Sequence, residues 1–334
     1  MNTPFFSIVI PVYNGLTHDL PKCLDSIWNQ SLDKELYEVI CIDDCSTDDT
    51  RAWLKEEQKK YTNLRIIENE QNIRQGGSRN RGMREARGLY IIFIDQDDYY
   101  HEESITAAYN HLKDNDLEIL IVDCAYQSPG KVSNKLQHNF PHCEVMTGDE
   151  IIEKNSIPYA PWKFIFLRSH VIENNLFFAE KERIEDIDWV HRLVHYAQRV
   201  QYQPILFIHY NKTSISTTMT SYKSKETVYS TLRLSKRMNE MLTTIFAESP
   251  AGVKNEVRRI SEMMAYIGLR SYLFFYDNVR NKSANIQENL YIVKNGNLLV
   301  KSAQKMPVLF SFISNILSPL GNLAMYVYRY IKYR

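Results

Sequence analysis

The sequence predicts an α/β protein with a mostly parallel β-sheet flanked by helices, followed by a helical C-terminal region. Two observations support this fold class. Between residues 5 and 126, short and continuously apolar runs alternate with segments of helical periodicity, which is the pattern of βαβ units around a buried parallel sheet. Beyond residue 217 the apolar residues recur at helical spacing, and no strand pattern follows.

The strands predicted in the first region are apolar runs at residues 6–12, 37–42, 64–67, 90–94 and 118–122. Between them, helical spacing is clearest at Leu20, Leu24 and Ile27. Ser46 or Thr47 is predicted to cap a second helix. Residues 127–160 are polar and predict a loop. The remaining patterns predict a helix at 184–196, a strand at 200–210, and helices at 225–246 and 253–275.

The composition excludes several classes of protein. Charged residues make up 24% and hydrophobic residues 44% of the 334 residues, which fits neither a disordered chain nor a polytopic membrane protein. The 40 basic and 40 acidic residues cancel, which argues against nucleic-acid binding. The five cysteines are scattered, as in reduced intracellular proteins, and the N-terminal apolar run is predicted to be a strand and not a signal peptide. We therefore expect a cytoplasmic protein.

Two acidic clusters follow predicted strands. Asp43 and Asp44 come after the second strand, and Asp95, Asp97 and Asp98 come after the fourth. The carboxyl ends of parallel strands lie at one edge of a sheet, where ligands of such folds bind. Crowded carboxylates repel one another unless hydrogen-bond donors or a hard cation such as Mg²⁺ offset the repulsion. A pair of solvated, helix-capping turns is the alternative.

These clusters belong to a series of segments that occur in one order. The segments are 7–14, 42–48, 77–82, 93–98, 160–166, 175–178 and the pair Glu185-Asp186. The series resembles the N-terminal half of glycosyltransferase family 2, the inverting GT-A enzymes that use nucleotide sugars, and the likeness covers about residues 5–216.

The resemblance implies a GT-A domain, with a Rossmann-like sheet, at residues 1–216. Residues 1–126 would bind the nucleotide sugar and 127–216 the acceptor, while 217–334 would form the helical C-terminal region. The implied activity is metal-dependent, inverting transfer from a nucleotide diphosphate sugar, most simply a UDP-sugar, to a glycan or lipid-linked acceptor in cell-surface polysaccharide synthesis. A non-catalytic nucleotide-sugar-binding or scaffold protein is the alternative, and the intact acidic motifs disfavour it.

The resemblance also assigns residues to the nucleotide. Pro11, Val12 and Tyr13 would wall the base, and Asp43 or Asp44 would accept the N–H of a uracil-like ring. An ordinary core aromatic is the alternative for Tyr13.

Two basic residues belong to the same side of the implied site. Arg74 stands where some relatives place a basic residue on the nucleotide, and Arg79 belongs to the Arg-Asn signature. Either could instead be a surface cation.

The chemistry is implied to depend on four carboxylates. A Mn²⁺ or Mg²⁺ ion would bind through Asp97 or Asp98, while Asp95 contacts the ribose or the sugar. Asp186 would act as the base that takes the proton from the acceptor hydroxyl. A first-turn acid that stabilises a helix is the alternative for Asp186.

On the acceptor side, the resemblance points to Trp162, Lys163 and Glu185, with simple packing as the alternative for Trp162. Two zinc interpretations are weak. The first uses two histidines one helical turn apart, which could suit Zn²⁺, but it lacks the HExxH pattern, and the second lies in a polar loop. They would use His191 and His195 near Asp188, or His138, His142 and Cys143. The role of His209 is left open.

The C-terminal tail differs in charge from the rest of the chain. No acidic residue follows Glu288, whereas six basic residues do. Its apolar stretches are interrupted by Pro319 and Gly321 and are too short to span a bilayer. Residues 301–334 are therefore predicted to make peripheral contact with an anionic membrane, with packing on the protein as the alternative. The sequence leaves open whether the chain forms a homo-oligomer.

Overall fold

The computed structural model describes residues 3–127, 144–154, 157–211 and 225–275. The chain separates into two compact units, Met1–Ser214 and Ile215–Arg334. The domain bounds inferred from the sequence stay a prediction.

The described residues of the first unit form an eight-stranded sheet with helices. Its strands are β1 (Phe6–Val12), β2 (Tyr37–Asp43), β3 (Leu64–Glu68), β4 (Tyr90–Phe93), β5 (Tyr99–Tyr100), β6 (Ile119–Gln127), β7 (Phe164–Leu167) and β8 (Val200–Asn211). Its helices are α1 (Leu20–Trp28), α2 (Thr50–Lys60), α3 (Arg74–Glu85), α4 (Ser104–Leu112), α5 (Gly148–Lys154), α6 (Arg168–Glu173) and α7 (Asp186–His195).

The strand order is β3-β2-β1-β4-β7-β6-β8-β5. Strands β3, β2, β1 and β4 are mutually parallel, and β6 is parallel to β8. Strand β7 is antiparallel to both of its neighbours, and β5 is antiparallel to β8. The predicted α/β class with a mostly parallel sheet is confirmed. Strands β5 and β7 were not predicted, because runs of two and four residues are too short to show a period.

Central strand β1 is buried along its whole length, which explains its continuous apolar run. Helix α3 packs against it at Gly82, where an added Cβ would lie 2.2 Å from Val9 Cγ1. Because β1, β2 and β4 are parallel, the segments that follow them all emerge at the same edge of the sheet. This edge carries both acidic clusters.

Two local expectations were wrong. Helix α2 begins at Thr50, after the predicted caps Ser46 and Thr47, because the preceding loop uses those residues for contacts described below. The Asp48 carboxylate accepts a hydrogen bond from Thr50 N at 3.0 Å instead. The segment at 127–160, which was predicted to be a loop, contains helix α5, and this helix packs against α7. Residues 128–143 and 155–156 of the same segment lie outside the described part of the chain.

Helix α5 meets α7 so closely that only glycine fits at position 148. Gly148 N donates to Ala197 O at 2.8 Å, and an added Cβ would lie 1.5 Å from the carbonyl oxygen of Val194. Neither backbone can yield without moving its helix. We expect Gly148→Ala to lower the free energy of unfolding by about 2–3 kcal/mol, measured by thermal or urea denaturation.

A matched control for this substitution is Gly268→Ala. There the nearest atoms to an added Cβ are the Cδ2 and Cγ of Leu232, at 2.8 and 2.9 Å, and a leucine side chain can rotate away. The control should cost less than Gly148→Ala. Equal stability of the two variants would contradict the proposed clash.

The described part of the second unit is an α-helical pair, α8 (Lys225–Met241) and α9 (Ala251–Phe275), as the sequence predicts. Ser235 and Ser261 tie the two helices together, since each buried hydroxyl donates to the other residue's carbonyl at 2.8 Å. Among the described residues, no helix combines the length and the apolarity needed to cross a bilayer. The membrane-contact prediction for 301–334 lies outside the described residues.

Candidate active site

Side-chain hydrogen bonds connect the loops that follow β1, β2 and β4. Asn14 has a left-handed backbone (φ 50), which asparagine tolerates, and its N–H donates to Ser46 Oγ at 2.9 Å. Its side-chain oxygen accepts from Thr47 N at 2.8 Å. On the other side, Gln96 bonds both backbone groups of Tyr13. The three loops therefore form one connected surface at the sheet edge.

The residues assigned to the base lie at this edge of the sheet and differ in exposure. Pro11 and Val12 are buried in β1, whereas 43% of Tyr13 is exposed. Asp43 is fully buried, and one of its carboxylate oxygens lies 2.5 Å from Arg51 Nε. Tyr13 is thus the member of the set whose ring is open to a ligand.

The carboxylate of Asp44 holds the start of helix α3. One oxygen accepts from Asn69 Nδ2 and Ile73 N, and the other accepts from Arg74 N, each at 2.8 Å. An anion at this position also interacts favourably with the helix dipole. Asp43 and Asp44 therefore both have protein partners, and their predicted contact with a uracil ring stays a prediction.

Arg74 and Arg79 connect α3 to the segment that leads into α7. Arg74 Nη1 donates to Lys181 O at 2.8 Å. Arg79 is 2% exposed, and its guanidinium lies 2.7 Å from Asp95 Oδ1 and 3.0 Å from Glu185 Oε1. Burial lowers the pKa of Arg79, but the two carboxylates outweigh burial and leave it above its ordinary value. One buried cation thus joins the acidic cluster after β4 to the Glu-Asp pair before α7.

The Glu-Asp pair is placed by a close approach of α3. An added Cβ on Gly76 would lie 2.8 Å from Glu185 Cγ, so a side chain here would displace the Glu185 carboxylate that Arg79 holds at 3.0 Å. Asp186 begins α7, is half-buried, and accepts a hydrogen bond from Ile187 N at 2.9 Å. Burial raises the pKa of Asp186 to about 6, although Arg79 opposes the shift, and burial likewise raises the pKa of Glu185.

The acidic cluster after β4 is crowded and incompletely neutralised. Asp98 is 1% exposed; Asn211 N donates to its Oδ1 at 2.8 Å, and among the described residues its Oδ2 has no hydrogen-bond partner. Burial and the charge of Asp97 raise the pKa of Asp98 well above its usual range. Burial and Asp95 raise the pKa of Asp97 to about 6. A cation here would stabilise both carboxylates.

The carboxylates of Asp97 and Asp98 are suitable ligands for Mg²⁺ or Mn²⁺. Within the described ranges, no three or more His, Cys, Asp and Glu side chains are grouped as a metal site. Mg²⁺ is commonly held by one or two carboxylates, with substrate phosphates and water completing its shell. The Oδ2 of Asp98, which bonds to none of the residues that the structure describes, suits that mode.

The residues assigned to the acceptor side lie among packed neighbours. Trp162 is 6% exposed and stacks on Tyr210, with ring centroids 5.6 Å apart. Lys163 Nζ lies 3.0 Å from Asp123 Oδ1, and both side chains are buried. Their contact with a sugar stays a prediction.

His209 is a neutral link between strands. Its ring bonds His101 at 2.9 Å and Gln127 at 3.1 Å, and it stacks on Tyr99. Burial, with help from His101 and Lys22, lowers the pKa of His209 to about 4.

The first zinc interpretation is not supported by the geometry of its histidines. His191 bonds Ile187 O at 2.6 Å, and His195 bonds Asp149 at the same distance. The second interpretation used His138, His142 and Cys143, which lie outside the described residues.

Comparison with known proteins decides the family. Residues 7–179 match the family described as "Glycosyl transferase family 2". The chain belongs to glycosyl transferase family 2. This membership confirms the family that the ordered motifs indicated, and the Asp95–Asp98 cluster and Arg79 lie inside the matched region.

One curated relative of this glycosyltransferase-family chain is the poly(ribitol-phosphate) beta-glucosyltransferase of Bacillus spizizenii. It is 45% identical over 117 residues, which are 34% of this chain and 18% of the relative. The chain thus spans about a fifth of that relative's length.

Two solved structures share the GT-A fold. Staphylococcus aureus TarS 1–349 in complex with UDP-GlcNAc has a TM-score of 0.62 at 20% identity, covering 86% of this chain and 79% of that one. The mannosyltransferase PcManGT from Pyrobaculum calidifontis, in complex with GDP-Man and Mn²⁺, has a TM-score of 0.55 at 13% identity, covering 95% and 88%. At these identities the likeness establishes the fold, and the predicted GT-A architecture is confirmed.

Proposed function

We propose that the chain is an inverting glycosyltransferase that transfers a sugar from a UDP-sugar to a hydroxyl of a glycan or lipid-linked acceptor in cell-surface polysaccharide synthesis. The observation that carries the proposal is that one guanidinium, that of Arg79, pairs with both Asp95 and Glu185, at 2.7 and 3.0 Å. Asp95 belongs to the proposed donor side and Glu185 to the proposed acceptor side. Donor and acceptor chemistry then meet at one sheet edge. Family membership supports sugar transfer, and the relative's name, which states glucosyl transfer involving poly(ribitol-phosphate), supports a polymer as acceptor.

On the donor side, the exposed ring of Tyr13 would stack on the base. Asp97 and Asp98 would hold a Mn²⁺ or Mg²⁺ ion, which supplies positive charge to the diphosphate as it departs. Asp95 is fixed by Arg79 and by Gln75 Nε2, each at 2.7 Å, so it presents a rigid acceptor toward ribose or sugar. The neighbours bound to UDP-GlcNAc and to GDP-Man with Mn²⁺ support a nucleotide sugar and a metal as ligands.

On the acceptor side, Asp186 would take the proton from the attacking hydroxyl. Its raised pKa, about 6, makes it a stronger base than an exposed aspartate while leaving it ionised at neutral pH. Direct displacement on the face opposite the leaving group inverts the anomeric centre. This reaction needs one carboxylate base and not the pair that flanks the bond in glycosidases.

A turnover assay with a panel of nucleotide sugars tests this function. We expect consumption of a UDP-sugar that requires Mn²⁺ or Mg²⁺ and an added glycan or lipid-linked acceptor. Asp97→Ala should abolish metal-dependent nucleotide binding, because it removes a carboxylate from the crowded pair.

The matched control is Asp116→Ala, since the Asp116 side chain is 94% exposed and belongs to no part of the site. It should bind and turn over like the wild type. If no nucleotide sugar is consumed by the wild type with either metal, the proposed enzyme function is wrong. If Asp97→Ala binds nucleotide with unchanged metal dependence, the metal assignment is wrong.

The location follows from the proposed acceptor. We place the chain in the cytoplasm, with residues 301–334 in peripheral contact with the membrane. Deleting residues 301–334 tests this contact, and unchanged binding to anionic liposomes would exclude it.

A further inference from the structure

The middle residue of the Asp95-Gln96-Asp97 motif makes a paired contact that no sequence rule assigns. Gln96 Oε1 accepts from Tyr13 N at 2.9 Å, and Gln96 Nε2 donates to Tyr13 O at 2.9 Å. The amide thereby exchanges two hydrogen bonds with one backbone residue, as a residue does in a hydrogen-bonded pair of an antiparallel ladder.

The chemistry of this pair requires an amide. An ionised carboxylate accepts but cannot donate, so Glu would leave Tyr13 O facing a negative charge. Asn carries the same amide on a chain one methylene shorter, and Met has the length but neither hydrogen-bonding group.

The contact matters because it fixes a residue whose ring is open. An aromatic that is 43% exposed at a loop tip gains little rigidity from packing. Here the backbone on both sides is held: Gln96 binds Tyr13, while Ser46 Oγ and Thr47 N bind Asn14. A ring presented on a held backbone loses less entropy when a flat ligand stacks on it.

We propose that Gln96 is a positioning residue that ties Tyr13, which stacks on the base, to the neighbouring carboxylates that hold the metal ion at the diphosphate. The proposal rests on the proposed nucleotide-sugar function. In this role Gln96 sets the distance between the base platform and the diphosphate site without touching the substrate itself.

The test uses the full chain with Gln96→Met and a matched control, Gln58→Met. Gln58 also donates its side-chain amide to a backbone carbonyl, Leu64 O at 3.0 Å, at the far end of α2. Two lost hydrogen bonds should raise the KM for the UDP-sugar and the Ki of UDP by about 5- to 30-fold, with kcat changed by less than about 2-fold. The Ki of inorganic pyrophosphate should stay unchanged, and Gln58→Met should behave as wild type.

Hydrogen exchange gives a readout that needs no ligand. The amide of Tyr13 should exchange about 10-fold faster or more in Gln96→Met, because its acceptor is gone. In Gln96→Glu the amide should stay protected, because the carboxylate still accepts from it, while UDP binding weakens.

The possible outcomes distinguish the proposed glycosyltransferase function from the positioning role of Gln96. An inactive wild type that binds no UDP overturns the proposed function, and the exchange of the Tyr13 amide still decides whether Gln96 holds that backbone. With an active wild type, equal weakening of UDP and pyrophosphate, or unchanged exchange at Tyr13, overturns the positioning role.

Discussion

Asp186→Asn is expected to lower the rate of sugar transfer by about 10²-fold or more while the nucleotide sugar still binds. Asparagine has nearly the same shape and can still accept the hydrogen bond from Ile187 N, but it cannot take a proton from the acceptor. The measurement is kcat beside the donor dissociation constant. A loss confined to kcat assigns the proton transfer to this carboxylate.

The control separates catalysis from helix stability, because an acid in the first turn of α7 also stabilises the helix. Asp188→Asn removes a charge from the same turn, where Asp188 pairs with Arg192 at 3.4 Å. It should lower the melting temperature but keep transfer. Near-normal transfer by Asp186→Asn would leave Asp186 with the structural role alone.

The dependence of kcat on pH in the wild type is a further test of Asp186 as the base. A base works only when ionised, and burial raises the pKa of Asp186 to about 6. The rate should therefore hold at neutral pH and fall as the pH drops through about 6, as measured by kcat from about pH 3.5 to pH 8. An acid limb near pH 4, the value of an ordinary aspartate, would contradict burial as the cause of the shift.

Arg79→Met is expected to cost the most stability, about 3–5 kcal/mol, because it leaves Glu185 buried without its cation. The Glu185 side chain is 6% exposed, whereas that of Asp95 is 19% exposed and keeps Gln75 as a donor. The guanidinium also lies over the rings of Phe93 and Phe178, at 5.7 and 5.5 Å. Urea denaturation measures the loss. Arg79→Lys, which keeps the charge but cannot span both carboxylates, should fall between Arg79→Met and wild type.

The loss should depend on pH in one direction. Burial already raises the pKa of Glu185 above its ordinary value, and Arg79 opposes that shift. The folded-state pKa of Glu185 is about 8 in the wild type and rises further without Arg79. Below pH 8 both proteins carry the same penalty from this group, so the part of the stability gap that comes from Glu185 should open as the pH rises through about 8.

Arg84→Met on the exposed face of α3 is the control for this variant, and it should cost about 1 kcal/mol or less at any pH. A gap that widens at low pH for Arg79→Met would contradict the role given to Glu185.

The sequence was informative where the pattern is local. The central strands are continuous apolar runs, so β1 to β4 and β6 could be predicted to within a few residues. The carboxylates after β2 and β4 follow those strands directly, and parallel pairing then brings them to one edge.

What could not be predicted depends on contacts between distant segments. Asn211 reaches Asp98 from 113 residues away, and Arg79 meets Glu185 across 106 residues. Neither pairing has a local signal. Gln96 lies inside a recognised motif, but its bond to Tyr13 crosses 83 residues, so the motif shows the position and not the partner.

Strand β8 lies late in the chain but pairs with two earlier strands, so a shortened fragment needs it to complete the sheet. Strand β8 pairs with β6 on one side and with β5 on the other, and its last residue, Asn211, donates to Asp98. A fragment cut at residue 179, where the family match stops, would contain the cluster of Asp95, Asp97 and Asp98 but neither the Glu185-Asp186 pair nor this strand. It would expose an unpaired sheet edge and release the loop that carries Asp98. We therefore expect a fragment that ends at residue 179 to be less stable than one that extends to Asn211 and keeps β8.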